Sequence, residues 1–238
     1  MDKRAHMKIS VCIPTYEMRG EAKRVLTRSF DMLKKQTFKD FEVVISDNSE
    51  DDIVKNLCED ATYKPLNIRY IRNPIKGLAQ NTNSAIQNGK GEIIKILYMD
   101  DYLAHENSLK EIADNFEGQW LVTGCEHDDG NRRYNPHYPK YNTKIYWGKN
   151  TIGSPSVLSI KNQDVMLFDE HMTWLLDCDY YKRMHDTYGE PKILNDINVV
   201  IGTSKHQVTN TLPKIKKLKE NLYMLFKHRK ELFLSIKI

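Results

Sequence analysis

Asp100 and Asp101 stand side by side after residues 92–98, a nearly continuous apolar run. Adjacent carboxylates at the end of a buried strand repel each other unless a cation or hydrogen-bond donors offset them. The pair invites a divalent metal. Oxygen-only ligation suits Mg2+ or Mn2+, which complete their shells with water and substrate phosphates, so a diphosphate ligand follows. For an isolated Asp-Asp pair the plain alternative is a solvated turn with a helix N-cap. Pro14-Thr15-Tyr16 is a second candidate, an aromatic with a polar handle suited to stacking on a base, or else an ordinary strand-to-helix turn. There is no Gly-x-Gly-x-x-Gly after the first strand and no Gly-x-x-x-x-Gly-Lys-Ser/Thr anywhere. Dinucleotide redox and P-loop chemistry lose ground accordingly.

These residues need elements to position them. Residues 8–13 form a short β-rich run, and residues 21–36 place Ala22, Val25, Leu26, Phe30 and Leu33 at helical spacing. Residues 41–46 repeat the strand pattern, end at Asp47-Asn48-Ser49 and lead into a helix through Leu57. A third strand is expected at 67–72, a helix at 78–87 closed by Gly89, and a buried strand at 92–98. Strands alternating with helices predict an α/β fold: a mainly parallel sheet with helices on both faces. Ligands of such sheets bind beyond the carboxyl ends of the strands, where Thr15, Asp47 and Asp100-Asp101 all fall. Farther on, the pattern gives a strand at 120–124, a tyrosine-rich loop around 134–147 and a strand at 156–160. A helix from about residue 170 to 188 and a late strand at 197–201 follow, the latter leading to Lys205-His206-Gln207. No internal repeat or low-complexity tract interrupts this order.

The 238 residues, 40% hydrophobic, suit one domain. Cys12, Cys58, Cys125 and Cys178 form no Cys-x-x-Cys pair, which fits a reducing compartment. With no apolar leader and no bilayer-length apolar run, the expectation is a cytoplasmic protein, soluble or peripheral at the cytoplasmic membrane face. Residues 1–6, before Met7, read as a cloning scar. Eight Lys/Arg against two Glu over residues 214–238 isolate the basic charge in a tail, which argues against nucleic acid as a partner. There Ile215, Leu218, Leu222, Leu225, Phe226, Leu232 and Phe233 fall largely at helical spacing among lysines, as in a basic amphipathic helix. Residues 214–234 would suit an anionic membrane surface, the domain itself, or a second copy in a homo-oligomer.

Four blocks, Val11-Cys-Ile-Pro-Thr-Tyr16, Val43-Val-Ile-Ser-Asp-Asn-Ser49, Gly77-Leu-Ala-Gln-Asn81 and Lys95-Ile-Leu-Tyr-Met-Asp-Asp101, stand in an order and spacing that resembles glycosyltransferase family 2. The resemblance implies a GT-A type, Rossmann-like domain at residues 7–210, with a donor half at about 7–102 and an acceptor half at about 103–210. Residues 211–238 would form the separate C-terminal amphipathic helix. By the same resemblance Pro14, Thr15, Tyr16 and Asp47 line the nucleotide pocket, Asp47 accepting from a base N–H, with Arg72 and Asn81 nearby. Uracil or thymine would suit that acceptor. Asp100 would face sugar or ribose, and Asp101 would hold Mn2+ or Mg2+ against the diphosphate. Tyr98 stands where the family's Asp-x-Asp-Asp has its first aspartate. Trp174-Leu-Leu-Asp-Cys-Asp-Tyr-Tyr-Lys-Arg183 resembles the family's acceptor-side helix, with Leu176 in place of a glutamate. Asp177 then takes the acceptor proton, with Asp179 as its rival. Gly153-Ser-Pro-Ser156 resembles a loop near the acceptor, and His206 would complete the metal shell or donate to a phosphate.

What the resemblance implies is a metal-dependent inverting hexosyl transfer, from a nucleotide-sugar donor of UDP or dTDP type to a saccharide or lipid-linked saccharide hydroxyl, in surface glycan synthesis. Two other readings stand beside it. A non-catalytic nucleotide-sugar binding or scaffold module would explain Tyr98 and Leu176. A sugar-phosphate nucleotidyltransferase shares the sheet and the metal-diphosphate site, but should carry a Gly-rich, basic phosphate loop where Pro14-Thr15-Tyr16 stands.

Overall fold

The computed structural model describes residues 7–203 and 212–229. Strand β1 (Ile9–Thr15) and strand β2 (Phe41–Asp47) are buried at every position, as strands covered on both faces must be. They pair in parallel with each other and with β3 (Ile68–Arg72) and β4 (Ile93–Ile96), in the order β3-β2-β1-β4. The register sets Thr15 opposite Asp47 and Asp47 opposite Arg72, so three polar side chains share one row at the carboxyl edge. Between these strands run α1 (Ala22–Lys35), α2 (Ile53–Glu59) and α3 (Leu78–Asn88). The apolar stripe of α1 is buried at Ala22, Val25, Leu26, Phe30 and Leu33, the positions its helical spacing singles out.

The second half of the sheet is mixed. After β5 (Tyr102–Leu103) and α4 (Ser108–Asn115) come β6 (Trp120–Asp128), β7 (Arg133–His137), β8 (Leu158–Lys161) and β9 (Lys192–Gly202). Here β8 is wedged antiparallel between β4 and β6, whereas β9 runs parallel to β6. Helix α5 (Leu176–Tyr188) supplies the crossover that a parallel β9 requires, and β8 arrives without one. Parallel pairing thus dominates the first half of the sheet only.

Two expected boundaries shift. Residues 134–147, expected as loop, contain β7 and a 3-10 turn at Thr143–Trp147. The helix expected from about residue 170 begins at Leu176. Its upstream amides are diverted: Thr173, Trp174 and Leu175 donate their N–H groups to the Glu220 carboxylate, and a turn at Asp169 captures the N–H of His171. Glu220 belongs to α6 (Lys214–Lys227), which buries Glu220 and Met224 and exposes Ile215, Leu218, Leu222 and Phe226. No helix among the described residues is long and apolar enough to cross a membrane. His206 lies outside the described residues, as do Leu232, Phe233 and the rest of the expected tail beyond residue 229.

Candidate active site

A cavity of about 690 Å³ opens at the carboxyl edge of the sheet. Pro14, Tyr16, Asn81, Asp100 and Asp101 line it from the first half of the chain, and Trp174, Leu176 and Asp177 face them from the second. Thr15, Asp47 and Arg72 stand behind this wall rather than among its lining residues.

Asp47 is fully buried and heavily used. Its Oδ1 accepts from Thr15 Oγ1 at 3.2 Å, Ser49 N at 2.9 Å and Ser49 Oγ at 2.6 Å, and its Oδ2 accepts from the Tyr70 hydroxyl at 2.7 Å. Burial, followed by the hydrogen bond to Asp47 and the Asp47 charge, pushes the Tyr70 hydroxyl pKa up and keeps it a donor. Arg72 lies 3.8 Å from Asp47 and donates to the Ser49 carbonyl and to Asp52. The carboxylate therefore braces the loop after β2, and Oδ2, with one hydrogen bond, retains acceptor capacity. Asn81 ties the same wall together, donating to the Thr15 carbonyl at 2.9 Å and accepting from Ser46 Oγ at 2.7 Å.

Asp101 is 3% exposed. Its Oδ2 accepts from Ser156 Oγ at 2.5 Å and its Oδ1 from the Gly202 N–H at 2.9 Å. Burial, then the neighbouring Asp100 charge, pushes its pKa well above the carboxylate range, and burial raises Asp100 as well. Arg28 supplies positive charge beneath the pair, donating to the Asp100 carbonyl at 2.8 Å while pairing with Asp128 at 2.9 Å. Adjacent carboxylates whose pKa values are both raised, chiefly by burial and at Asp101 also by the Asp100 charge, are the donor set expected of a cation site, so the residues present fit a divalent metal. No cluster of three or more His, Cys, Asp or Glu side chains occurs among the described residues, and ligand phosphates and water would have to complete the shell.

Across the cavity, Asp177 lies at the start of α5. Its Oδ2 accepts from the Asn150 side-chain amide at 2.7 Å and its Oδ1 from the Cys178 N–H at 2.7 Å. Burial raises its pKa to about 6 against the lowering effect of these two donors. That value leaves it ionised yet basic near neutrality, as a general base requires. Asp179 is buried and occupied by Arg183, Lys227 and His228 at 2.7, 2.9 and 2.9 Å, away from the cavity lining. Of the two acids in the first turn of this helix, only Asp177 lines the cavity.

Three residues of the site carry no local sequence signal. Asn150 orients Asp177 from 27 positions away. Lys95, fully buried in the otherwise apolar β4, donates to the Ser156 carbonyl, and its pKa is pushed down to about 7 by burial. Glu220 reaches back to the entry of α5. Each contact joins segments distant along the chain, so only the tertiary fold reveals it.

The comparisons with known proteins agree with this fold. The family model described as glycosyl transferase family 2 matches residues 10–181. A GalNAc(5)-diNAcBac-PP-undecaprenol beta-1,3-glucosyltransferase of Campylobacter jejuni is 28% identical over 98 residues, 40% of this chain and 30% of that protein. The chain thus spans less than a third of that relative's length. Among solved structures, S. aureus TarS 1-349 in complex with UDP superposes with TM-score 0.65 at 19% identity, covering 98% of this chain and 75% of that one. Mannosyltransferase PcManGT from Pyrobaculum calidifontis, in complex with GDP-Man and Mn2+, superposes with TM-score 0.59 at 18% identity, covering 96% and 66%. At such identities the superpositions establish the shared fold.

Proposed function

The chain belongs to glycosyltransferase family 2, and from that premise we propose that it is a metal-dependent, inverting transferase that moves a hexose from a nucleotide diphosphate to an acceptor hydroxyl. One observation carries the reading: the Asp100-Asp101 pair and Asp177, from the two halves of the chain, line a single cavity. Asp101, with Asp100 beside it, would hold Mn2+ or Mg2+, and His206 is proposed as a further ligand. When bound, the ion supplies positive charge at the diphosphate. Tyr16 and Pro14 offer a surface for the base, Asp47, buried behind them, braces the Ser49 loop at that wall, and a UDP or dTDP donor is proposed. Asn81 and Arg72 hold the loops that shape this pocket.

Asp177 accepts the proton of the acceptor hydroxyl as that oxygen attacks the anomeric carbon from the face opposite the diphosphate. A single displacement inverts the configuration and needs no covalent enzyme intermediate. Support for the donor class comes from TarS and PcManGT, which are solved with UDP-GlcNAc and with GDP-Man. The acceptor is proposed to be a saccharide or lipid-linked saccharide hydroxyl, as the name of the Campylobacter jejuni relative indicates for that protein.

The exposed stripe Ile215, Leu218, Leu222 and Phe226, flanked by Lys214, Lys216, Lys217 and Lys219, matches an anionic lipid surface in both polarity and charge. A peripheral position at the cytoplasmic membrane face is proposed on that basis.

The test is the substitution Asp177→Asn, assayed for nucleoside diphosphate release from UDP- and dTDP-sugars and for donor binding. Loss of turnover with donor binding retained supports the transferase. Donor binding by the natural chain without turnover on any donor would favour the scaffold module instead.

A further inference from the structure

We propose that Glu220 is a positioning residue for Asp177, and that α6 is thereby a working part of the acceptor side of the cavity. This inference rests on the transferase reading above. The first turn of a helix leaves backbone N–H groups without intrahelical partners, and a local Ser, Thr, Asp or Asn usually caps them. At α5 that position is Leu175, which has no capping side chain. The Cys178 N–H is taken by Asp177 itself at 2.7 Å, and the Glu220 carboxylate holds the chain just before the helix from 45 positions away, accepting from Thr173 N at 3.1 Å, Trp174 N at 2.7 Å and Leu175 N at 3.0 Å. It is 4% exposed. A negative charge buried at a helix N-terminus is favoured by the aligned peptide dipoles, and three consecutive donors fix the direction in which the chain enters the helix.

Geometry ties that direction to the chemistry. Thr173 and Trp174 line the cavity, and Asp177 follows Leu175 by two residues. The far end of α6 is fastened to the same helix: Lys227 and His228 both reach Asp179 at 2.9 Å. The middle of α6 therefore holds the entry to α5 through Glu220, and its C-terminal end holds the first turn through Asp179, on either side of the base. Releasing Glu220 frees residues 173–175, which lead directly into Asp177, and touches no contact of Asp100, Asp101 or the base wall. Glu220 should accordingly act on turnover and leave the donor contacts alone.

Glu220→Gln preserves size but removes the charge and turns one oxygen into a donor, so it cannot satisfy all three amides. The probe reaction is hydrolysis of UDP-glucose or UDP-N-acetylglucosamine by water with Mn2+. The anomeric C–O bond to the diphosphate breaks, a bond from C1 to the water oxygen forms, Asp177 takes the water proton, and UDP leaves with the bonding pair. Small displacements of reacting groups cost about 100-fold in rate. The expected result is a fall in kcat of about 10- to 100-fold with the donor KM unchanged, together with faster hydrogen exchange at Thr173, Trp174 and Leu175. Glu220→Asp, one methylene shorter with its charge kept, should recover part of both losses. Unchanged exchange at these amides, or a raised donor KM with kcat preserved, would overturn the proposal. If the natural chain hydrolyses no nucleotide sugar, the transferase reading fails. The clamp is then judged on exchange alone, where loss of protection confined to the start of α5 upholds it and protection unchanged rejects it.

Discussion

Asn150 donates its side-chain amide to Asp177 Oδ2 at 2.7 Å, and the same amide nitrogen donates to the Gly153 carbonyl at 2.9 Å. The base is thereby locked to the loop that carries Ser154 and Pro155 along the cavity wall. Two consequences follow, one for ionisation and one for geometry.

Asp177 must be ionised to accept a proton, and burial places its pKa at about 6. Turnover should therefore be low at acid pH, rise through about pH 6 and level off above it. The Asn150 hydrogen bond favours the charged form, so Asn150→Ala should move this acid limb to higher pH and lower the plateau by about 10-fold or more. A pH–rate profile of kcat for both proteins checks the shift. An acid limb that stays in place in the variant would separate Asn150 from the base.

Gly202 donates its N–H to Asp101, and a Cβ at this glycine would collide with the Asp100 carbonyl oxygen. Backbone atoms cannot step aside as a flexible side chain can. Gly202→Ala should displace both carboxylates and weaken metal-dependent nucleotide binding by about 10-fold, roughly 1.4 kcal/mol, with the circular dichroism spectrum preserved. Calorimetric titration of UDP in the presence of Mn2+ measures it.

Lys95 is neutral in the folded protein above about pH 7, whereas its ordinary pKa is 10.5. Between those values the unfolded chain binds the extra proton, so this group makes stability increase as pH rises from about 7 towards 10.5. Below pH 7 both states are protonated and the burial penalty is complete. Lys95→Met, which keeps the chain length without the amine, should flatten the rise. Denaturant midpoints of the two proteins at pH 7 and pH 9 give the comparison.

Leu222 and Phe226 lie on the exposed stripe of α6, opposite the side held by Glu220 and Met224. Changing either to Glu removes an apolar anchor worth about 2 kcal/mol and adds a charge that anionic headgroups repel. Co-sedimentation with phosphatidylglycerol vesicles should fall for both variants and should weaken for the natural chain at high salt. Equal sedimentation of variants and natural chain would reject the lipid surface, and a salt-insensitive dimer lost in the variants would identify a second copy as the occupant.

The first half of the fold is readable locally because each element carries its own periodicity. Ala22, Val25, Leu26, Phe30 and Leu33 mark one helix face, and the wholly buried β1 and β2 read as apolar runs. The end of β4 and the start of α3 then bring Asp101 and Asn81 to one edge without further information. Legibility fades where positions are set by partners far along the chain. Helix α5 starts six residues later than its pattern suggests because Glu220 takes the upstream amides, and nothing within residues 170–176 encodes that. Asp177 and Asp179 look alike in sequence, and the second is distinguished only by Arg183, Lys227 and His228 around it. Asp47 is placed at the expected strand end, yet the Tyr70 donor that holds its second oxygen is visible only once β3 is paired.

The most direct test of the central claim, a metal-dependent nucleotide-sugar site built on Asp100-Asp101, is a thermal-shift titration with UDP, dTDP, GDP and ADP, with and without Mn2+, on the natural chain and on Asp101→Ala. At about 100-fold excess over its dissociation constant a ligand adds about 2.7 kcal/mol, roughly 5 to 10 °C for a chain of this size. The account predicts a Mn2+-dependent shift of that order for UDP or dTDP that disappears in Asp101→Ala. No shift with any of the four nucleotides at saturating Mn2+, or a shift unchanged by the substitution, would contradict it.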